Sequence, residues 1–376
     1  MNARERFHAT MHYLPRDRCP IYDFGFWKET LVLWEEQGFP AGGAPELFFG
    51  MDSPWRHCGG KEGLCPAFPV EVLEDKGDTE VVRQNDGVVV ERGKFMGSIP
   101  RHLSHALRDR DSWEKEFKPR FRPDSLQRFP NEEIWRQRVA EWTRPDRPYP
   151  LAIGCGSLFG QTRNWMGIER ISEILYDDRR LFDEIVETRA DVALAVIIKT
   201  LEAGVRPEAA AFWEDMCYKA GPLLSPKVFK ETLVPNYKRI TQELRRHGVD
   251  IVWVDCDGNV ELLAPLWLEA GVNTMFPLEV GTWKADPCQY RRRYGRDMRI
   301  IGGFSKRILA STPDAIAREI DRLAPLVEEG GFIPLCDHRV PPDVPLRNYI
   351  FYIEQAKRVW GKGLANLRPT AVAGGR

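Results

Sequence analysis

From residue 151 onward the sequence alternates short apolar runs with helical stretches, and no other feature restricts the fold as strongly. The runs occupy 151–156, 209–215, 250–258, 273–277, 299–304 and 331–335, and each ends near a Gly, Asp or Glu. Helical patterns over 169–203, 225–247, 259–270, 284–295, 312–329 and 345–359 separate them. Such an order implies a parallel sheet with crossover helices. Strands buried on both faces read as continuous apolar runs, as these do. A doubly wound sheet shares the alternation, but the chain has neither a GxGxxG after an early strand nor a P-loop. Gly154-x-Gly156 reads as a tight turn. The expected fold class is therefore α/β, a closed (β/α)8 TIM barrel.

The first 150 residues are less regular. A helix over 3–12, a strand over 19–25 and a helix over 27–38 are expected, punctuated by Pro15, Pro20 and Pro40. Between 71 and 94, Asn85-Asp86-Gly87 separates two valine runs, a hairpin signal. The Arg-, Pro- and Trp-rich stretch that follows suggests helices joined by loops. The expectation is a single barrel over 1–362, with 40–150 as an N-terminal hairpin and helical elaboration or lid, and 363–376 as a disordered tail.

Composition excludes several classes. The chain has 376 residues and a formal net charge of -1, which lacks the basic surplus of a nucleic-acid binder. No apolar run approaches the roughly 18 residues a membrane span requires. The start, Met1-Asn2-Ala3-Arg4-Glu5-Arg6, has no apolar signal core. Eight scattered cysteines without a CxxC pair point to free thiols in a cytoplasmic setting.

In a barrel, chemistry gathers at the C-terminal ends of the strands. There the sequence places Asp23, Glu214-Asp215, Asp255-Cys256-Asp257-Gly258-Asn259, Glu279 and Asp337-His338-Arg339. Asp255 and Asp257, two apart, share a side if extended, and close carboxylates split their pKa values, bind a divalent metal or carry protons. One of them capping the next helix is the structural alternative. His338 follows the last run, and imidazole changes charge near neutral pH. Cys256 alternates with the aspartates and is expected to pack. His8 and His12 share a helix face, without the Glu that would make HExxH.

Several motifs resemble the uroporphyrinogen decarboxylase superfamily. They are Arg4-Glu5-Arg6-Phe7 through Pro15-x-Asp17-Arg18-x-Pro20, Leu224-Ser225-Pro226 followed by Pro235-x-Tyr237, the Asp257-Gly258-Asn259 turn, and Gly330-Gly331-Phe332-Ile333-Pro334 running into Asp337-His338-Arg339-Val340-Pro341-Pro342. The resemblance implies a barrel enzyme of one of two kinds. Corrinoid-dependent methyltransferases bind zinc through a His-x-Cys pair and a later Cys; decarboxylases use N-terminal arginines, an Asp, a Tyr and a late His, without a cofactor. Here Asp255-x-Asp257 stands at the His-x-Cys position and His338 at the late His or last Cys. Tyr22-Asp23-Phe24-Gly25-Phe26-Trp27 replaces the arginine cluster.

The resemblance leads with a methyltransferase of O-demethylase type, acting on a small methylated substrate and passing the methyl to a corrinoid partner protein. A divalent metal, zinc by preference, would be held by Glu214, Asp257 and His338. Asp215 or Asp255 would carry protons, with Asp257 and His338 also catalytic. Asp23, Phe24, Phe26, Trp27, Glu279 and Arg339 would bind substrate. The alternatives are a cofactor-free decarboxylase of uroporphyrinogen or a smaller carboxylate, in which His338 and Asp257 stabilise a protonated intermediate, and a non-catalytic ligand-binding barrel. Neither a nucleic-acid nor a membrane partner is expected; a homo-oligomer is compatible.

Overall fold

The computed structural model describes residues 1–94 and 99–361. The expected tail, 363–376, therefore lies outside the described residues. Seven parallel strands form the central sheet in the order Arg56–Cys58, Leu151–Gly156, Ala209–Trp213, Val252–Asp255, Thr274–Leu278, Arg299–Phe304, Phe332–Cys336. Six of them fall where the apolar runs predicted. The seventh, Arg56–Cys58, pairs with Leu151–Gly156 and lies inside the stretch expected to be an elaboration. With three residues and only Cys58 buried, it is too short to show a pattern.

Residues 19–27 stand between the two edges of this sheet. They are extended but form no regular ladder, which corrects the expected strand. Pro20 has no amide to donate, and side chains do part of the pairing: the Ile21 amide donates to Asp52 Oδ2 at 2.8 Å. Asp52 N donates to Ile21 O at 3.0 Å near one edge, and Val340 N to Gly25 O at 2.9 Å beyond the other. Phe26 and Val340 form an isolated parallel bridge.

Two cores follow from this closure. Tyr22, Ala152, Ala209, Ile251, Trp253, Phe276, Ile301, Ile333 and Leu335 form an inner cluster drawn from strands all round the sheet, with Phe7 and Met11 of the helix Ala3–Met11 added. The alternate residues, such as Leu151, Ile153, Ala210, Val252 and Val254, join the larger outer cluster under the helices. A closed barrel gives every strand one inward and one outward set, and the inward set fills the interior. The helix Ala3–Met11 starts with a capping box between Asn2 and Glu5.

Outside the barrel, Glu71–Asp75, Thr79–Arg83, Val89–Gly93 and Arg101–Ser104 make a four-stranded antiparallel sheet, so the hairpin signal belonged to a larger unit. Among the described residues no helix is long and apolar enough to cross a membrane. All eight cysteines are free thiols, and Cys256 is buried as expected.

Candidate functional site

Inward alternation carries the strand Val252–Asp255 from Trp253 in the inner core to Asp255 at the barrel mouth. Asp257 follows two residues later, and its Oδ2 lies 3.2 Å from His338 Nε2. Two positions separated by 81 residues of sequence thus meet, Asp257 after the fourth sheet strand and His338 after the seventh. Asp257 Oδ1 is buried and has no hydrogen-bond partner among the described residues. Gly258 makes the turn possible: its φ is +84°, and a Cβ there would lie 2.8 Å from the Cys217 backbone. The turn is pinned by Glu279 Oε2, which accepts from Gly258 N at 2.7 Å.

Asp255 is the least satisfied of these groups. No hydrogen bond or ion pair reaches its carboxyl among the described residues. Burial, then the neighbouring Asp257 and Asp215, raise its pKa well above the ordinary carboxylate range, against a weaker opposing pull from Arg339. Of three neighbouring carboxylates, Asp215 and Asp257 have a cationic or imidazole partner and Asp255 does not, so protonation is favoured most at Asp255. Asp215 sits in the left-handed region at φ +40° and pairs with Arg163 at 2.9 Å. Burial raises its pKa too, with Arg163 opposing.

Aromatic rings wall the His338 side. Trp27 stacks on the imidazole at 5.8 Å and Phe24 meets it edge-on at 5.6 Å. Arg339 lies over both rings, 5.8 Å from Phe24 and 5.7 Å from Trp27, with no carboxylate partner among the described residues.

Other expected site residues serve the scaffold. Glu214 was to be a metal ligand, but its carboxylate is fully engaged. Oε1 accepts from Leu158 N at 2.8 Å and Tyr237 Oη at 2.6 Å, and Oε2 from Ser157 Oγ, Phe159 N and Gly160 N at 2.9–3.1 Å. It satisfies the open amides at the start of the helix Gly160–Met166. Gly160 has no alternative there, since a Cβ would fall 1.9 Å from Glu214 O. Glu279 was to bind substrate; besides Gly258 it holds Lys306 at 3.0 Å and Thr282 at 3.1 Å. Phe26 packs among Trp34, Phe49 and Tyr349, inside the outer core instead of at the mouth. Asp23 is half-buried and accepts from Tyr349 Oη and, at 2.7 Å, from Phe24 N; desolvation of its carboxyl lifts its pKa to about 7.

The expected metal triad therefore does not assemble. Among the described residues no three His, Cys, Asp or Glu side chains stand close enough to hold a metal ion. Asp257 and His338 meet, Glu214 is bonded elsewhere, and Asp255, two residues before Asp257, is a carboxyl whose pKa burial raises.

Sequence reasoning missed Arg163, Tyr237, Lys306 and Tyr349, the partners of Asp215, Glu214, Glu279 and Asp23. Tyr237 was visible as part of Pro235-x-Tyr237, but no sequence signal tied it to Glu214.

Residues 143–359 match the uroporphyrinogen decarboxylase family. The chain belongs to that family. The matched segment carries every barrel strand from Leu151–Gly156 onward and, at their ends, Asp255, Asp257 and His338. A uroporphyrinogen decarboxylase of Legionella pneumophila (strain Corby) is 24% identical over 211 residues, 56% of this chain and 56% of that protein's length. A methyltransferase from Methanosarcina mazei shares the fold, with a TM-score of 0.56 and 15% identity over 95% of this chain and 99% of the other. Both relatives are named as enzymes, and this chain shares the methyltransferase's fold and carries ionisable groups at its barrel mouth.

Proposed function

We propose that this family member is a cofactor-independent acid–base enzyme that removes the carboxyl group of a small, electron-rich unsaturated or aromatic carboxylate. One observation carries the reading: Asp255 has no hydrogen bond or ion pair among the described residues, and stands two residues from Asp257 of the Asp257–His338 pair, where burial, Asp257 and Asp215 raise its pKa well above the ordinary carboxylate range. A carboxylic acid whose pKa is raised in this way suits a general acid.

In the proposed reaction Asp255 gives its proton to the carbon that bears the carboxylate. The bond to the carboxyl carbon then breaks, its electron pair returns to the π system, and carbon dioxide leaves. Asp255 remains as a carboxylate and regains a proton from solvent through the Asp257–His338 pair. Arg339, a cation without a carboxylate partner, draws the anionic substrate to the mouth, and Phe24 and Trp27 flank its apolar body. The aromatic segment 22–27 favours a substrate smaller and less charged than a tetrapyrrole with many carboxylates.

The methyl-transfer reading asks for a metal as Lewis acid and a corrinoid partner as methyl acceptor. Glu214, Asp257 and His338 do not fit that metal, because Glu214 is spent on the helix start and does not join the pair. The test is incubation with a panel of aryl and enoic carboxylates in heavy water. The expected product carries one deuterium at the carbon that lost its carboxyl group, with carbon dioxide released in equal amount. Methyl loss from methoxylated compounds, with no carbon dioxide from any carboxylate, would overturn the proposal.

A further inference from the structure

On the flank of the barrel, the loop after the strand Arg56–Cys58 and the helix Glu132–Trp142 enclose a cavity of about 490 Å³. Its walls include His57, Lys61, Glu62, Phe129, Arg138 and Trp142. That volume suits a small organic ligand, and none of the acid–base residues lines it.

The loop is glycine-rich, His57-Cys58-Gly59-Gly60-Lys61-Glu62-Gly63, and it is held from below by Arg128. This fully buried guanidinium donates to the carbonyls of Arg122, Lys61, Gly63 and Arg120 at 2.8–2.9 Å. All its acceptors are neutral, so its charge is offset by no bonded carboxylate. The amides of Gly60, Glu62, Gly63 and Leu64 donate to no protein acceptor among the described residues. Neither Lys61 nor Arg138 has an ion-pair partner there.

Glu62 supplies the opposing charge, and its place is fixed by two missing side chains. A Cβ at Gly154 would lie 3.0 Å from Glu62 Oε1, and one at Gly156 2.8 Å from Glu62 Cγ. The pair that reads as a turn in the sequence is a seat for this glutamate. The local balance remains positive, with Arg128, Lys61 and Arg138 against Glu62. Free amides, unpaired cations and an aromatic wall together form an anion receptor with an apolar side.

We infer that this cavity is a second binding site, separate from the acid–base mouth, for a small organic anion with a planar apolar body: a carboxylate or phosphate group at the Lys61 loop and Arg138, the body against the aromatic wall of Phe129 and Trp142, whose rings both pack on Trp135. The inference stands whichever reaction the mouth performs.

Calorimetric titration of the full chain with benzoate, phenyl phosphate and uncharged benzyl alcohol tests it, the two anions deciding between carboxylate and phosphate. Both surface cations are exposed, so Lys61→Gln with Arg138→Gln leaves the fold intact. The double variant is expected to bind the preferred anion at least ten-fold more weakly. Glu62→Gln is expected to bind it several-fold more tightly, a gain that damage to the fold would not produce. His338→Gln should leave affinity unchanged even where it abolishes turnover, which separates this site from the proposed reaction. Failure of both anions to bind, equal binding of benzyl alcohol, or loss of binding in His338→Gln alone would overturn the inference.

Discussion

Three residues near the barrel mouth share one electrostatic problem, and their different solutions set their roles. Asp215 has Arg163, Asp257 has His338, and Asp255 has no ion pair or hydrogen bond among the described residues, only a weaker pull from Arg339. Asp255→Asn keeps the shape and removes the transferable proton. It should lower turnover by about 10²- to 10⁴-fold, the usual worth of a positioned proton donor, with the melting temperature held or raised. Measuring kcat and thermal unfolding on one preparation checks both. His338→Gln should slow the return of the proton, reducing kcat more than kcat/KM. At Glu214 the expectation differs, because its work is structural. Tyr237→Phe leaves one buried carboxylate oxygen with a partner fewer, costing roughly 1–3 kcal/mol by denaturant unfolding. It should leave the pH profile of turnover unchanged.

At the scale of elements, what the sequence revealed depended on length and periodicity. The six strands from Leu151–Gly156 to Phe332–Cys336 are four to six residues long and buried, so their apolar runs stood out. Arg56–Cys58 is three residues long with two exposed, and residues 19–27 replace ladder bonds with Asp52 and Val340 contacts. Neither arrangement leaves a period to read. Strand ends located the carboxylates that gather near the barrel mouth, and His338 meets Asp257 there. Sequence position gave no means of separating a carboxylate that faces the mouth from one spent on a helix start. Glu214 and Asp215 are neighbours, yet one holds the helix Gly160–Met166 and the other pairs with its Arg163. That helix start admits only glycine: Gly160→Ala should destabilise the fold by on the order of 3 kcal/mol or more, through the clash with Glu214 O. Chemical unfolding would register it as a lowered midpoint with an unchanged slope.

The whole molecule joins a parallel barrel with inner and outer cores to an antiparallel sheet on residues 71–104. Its stability should carry the signature of buried acids. Asp23 has a pKa of about 7 in the fold, raised by burial, and an ordinary carboxylate value once unfolded. The native state therefore binds the extra proton between those values, and stability contributed by this group falls as pH rises from about 4 to 7. Asp23→Asn should flatten that fall, as urea unfolding at a series of pH values would show. A slope unaltered by the substitution would mean that Asp23 is already ionised in the fold.

The most direct test is to watch the Asp255 carboxyl itself. With 13C at the aspartate carboxyl carbons, NMR titration follows each group through its ionisation. The expected signal titrates well above the ordinary carboxylate range, disappears in Asp255→Asn, and moves to lower pKa in Asp257→Asn as the neighbouring charge is removed. An Asp255 signal that titrates within the ordinary carboxylate range would contradict the proposed role of Asp255.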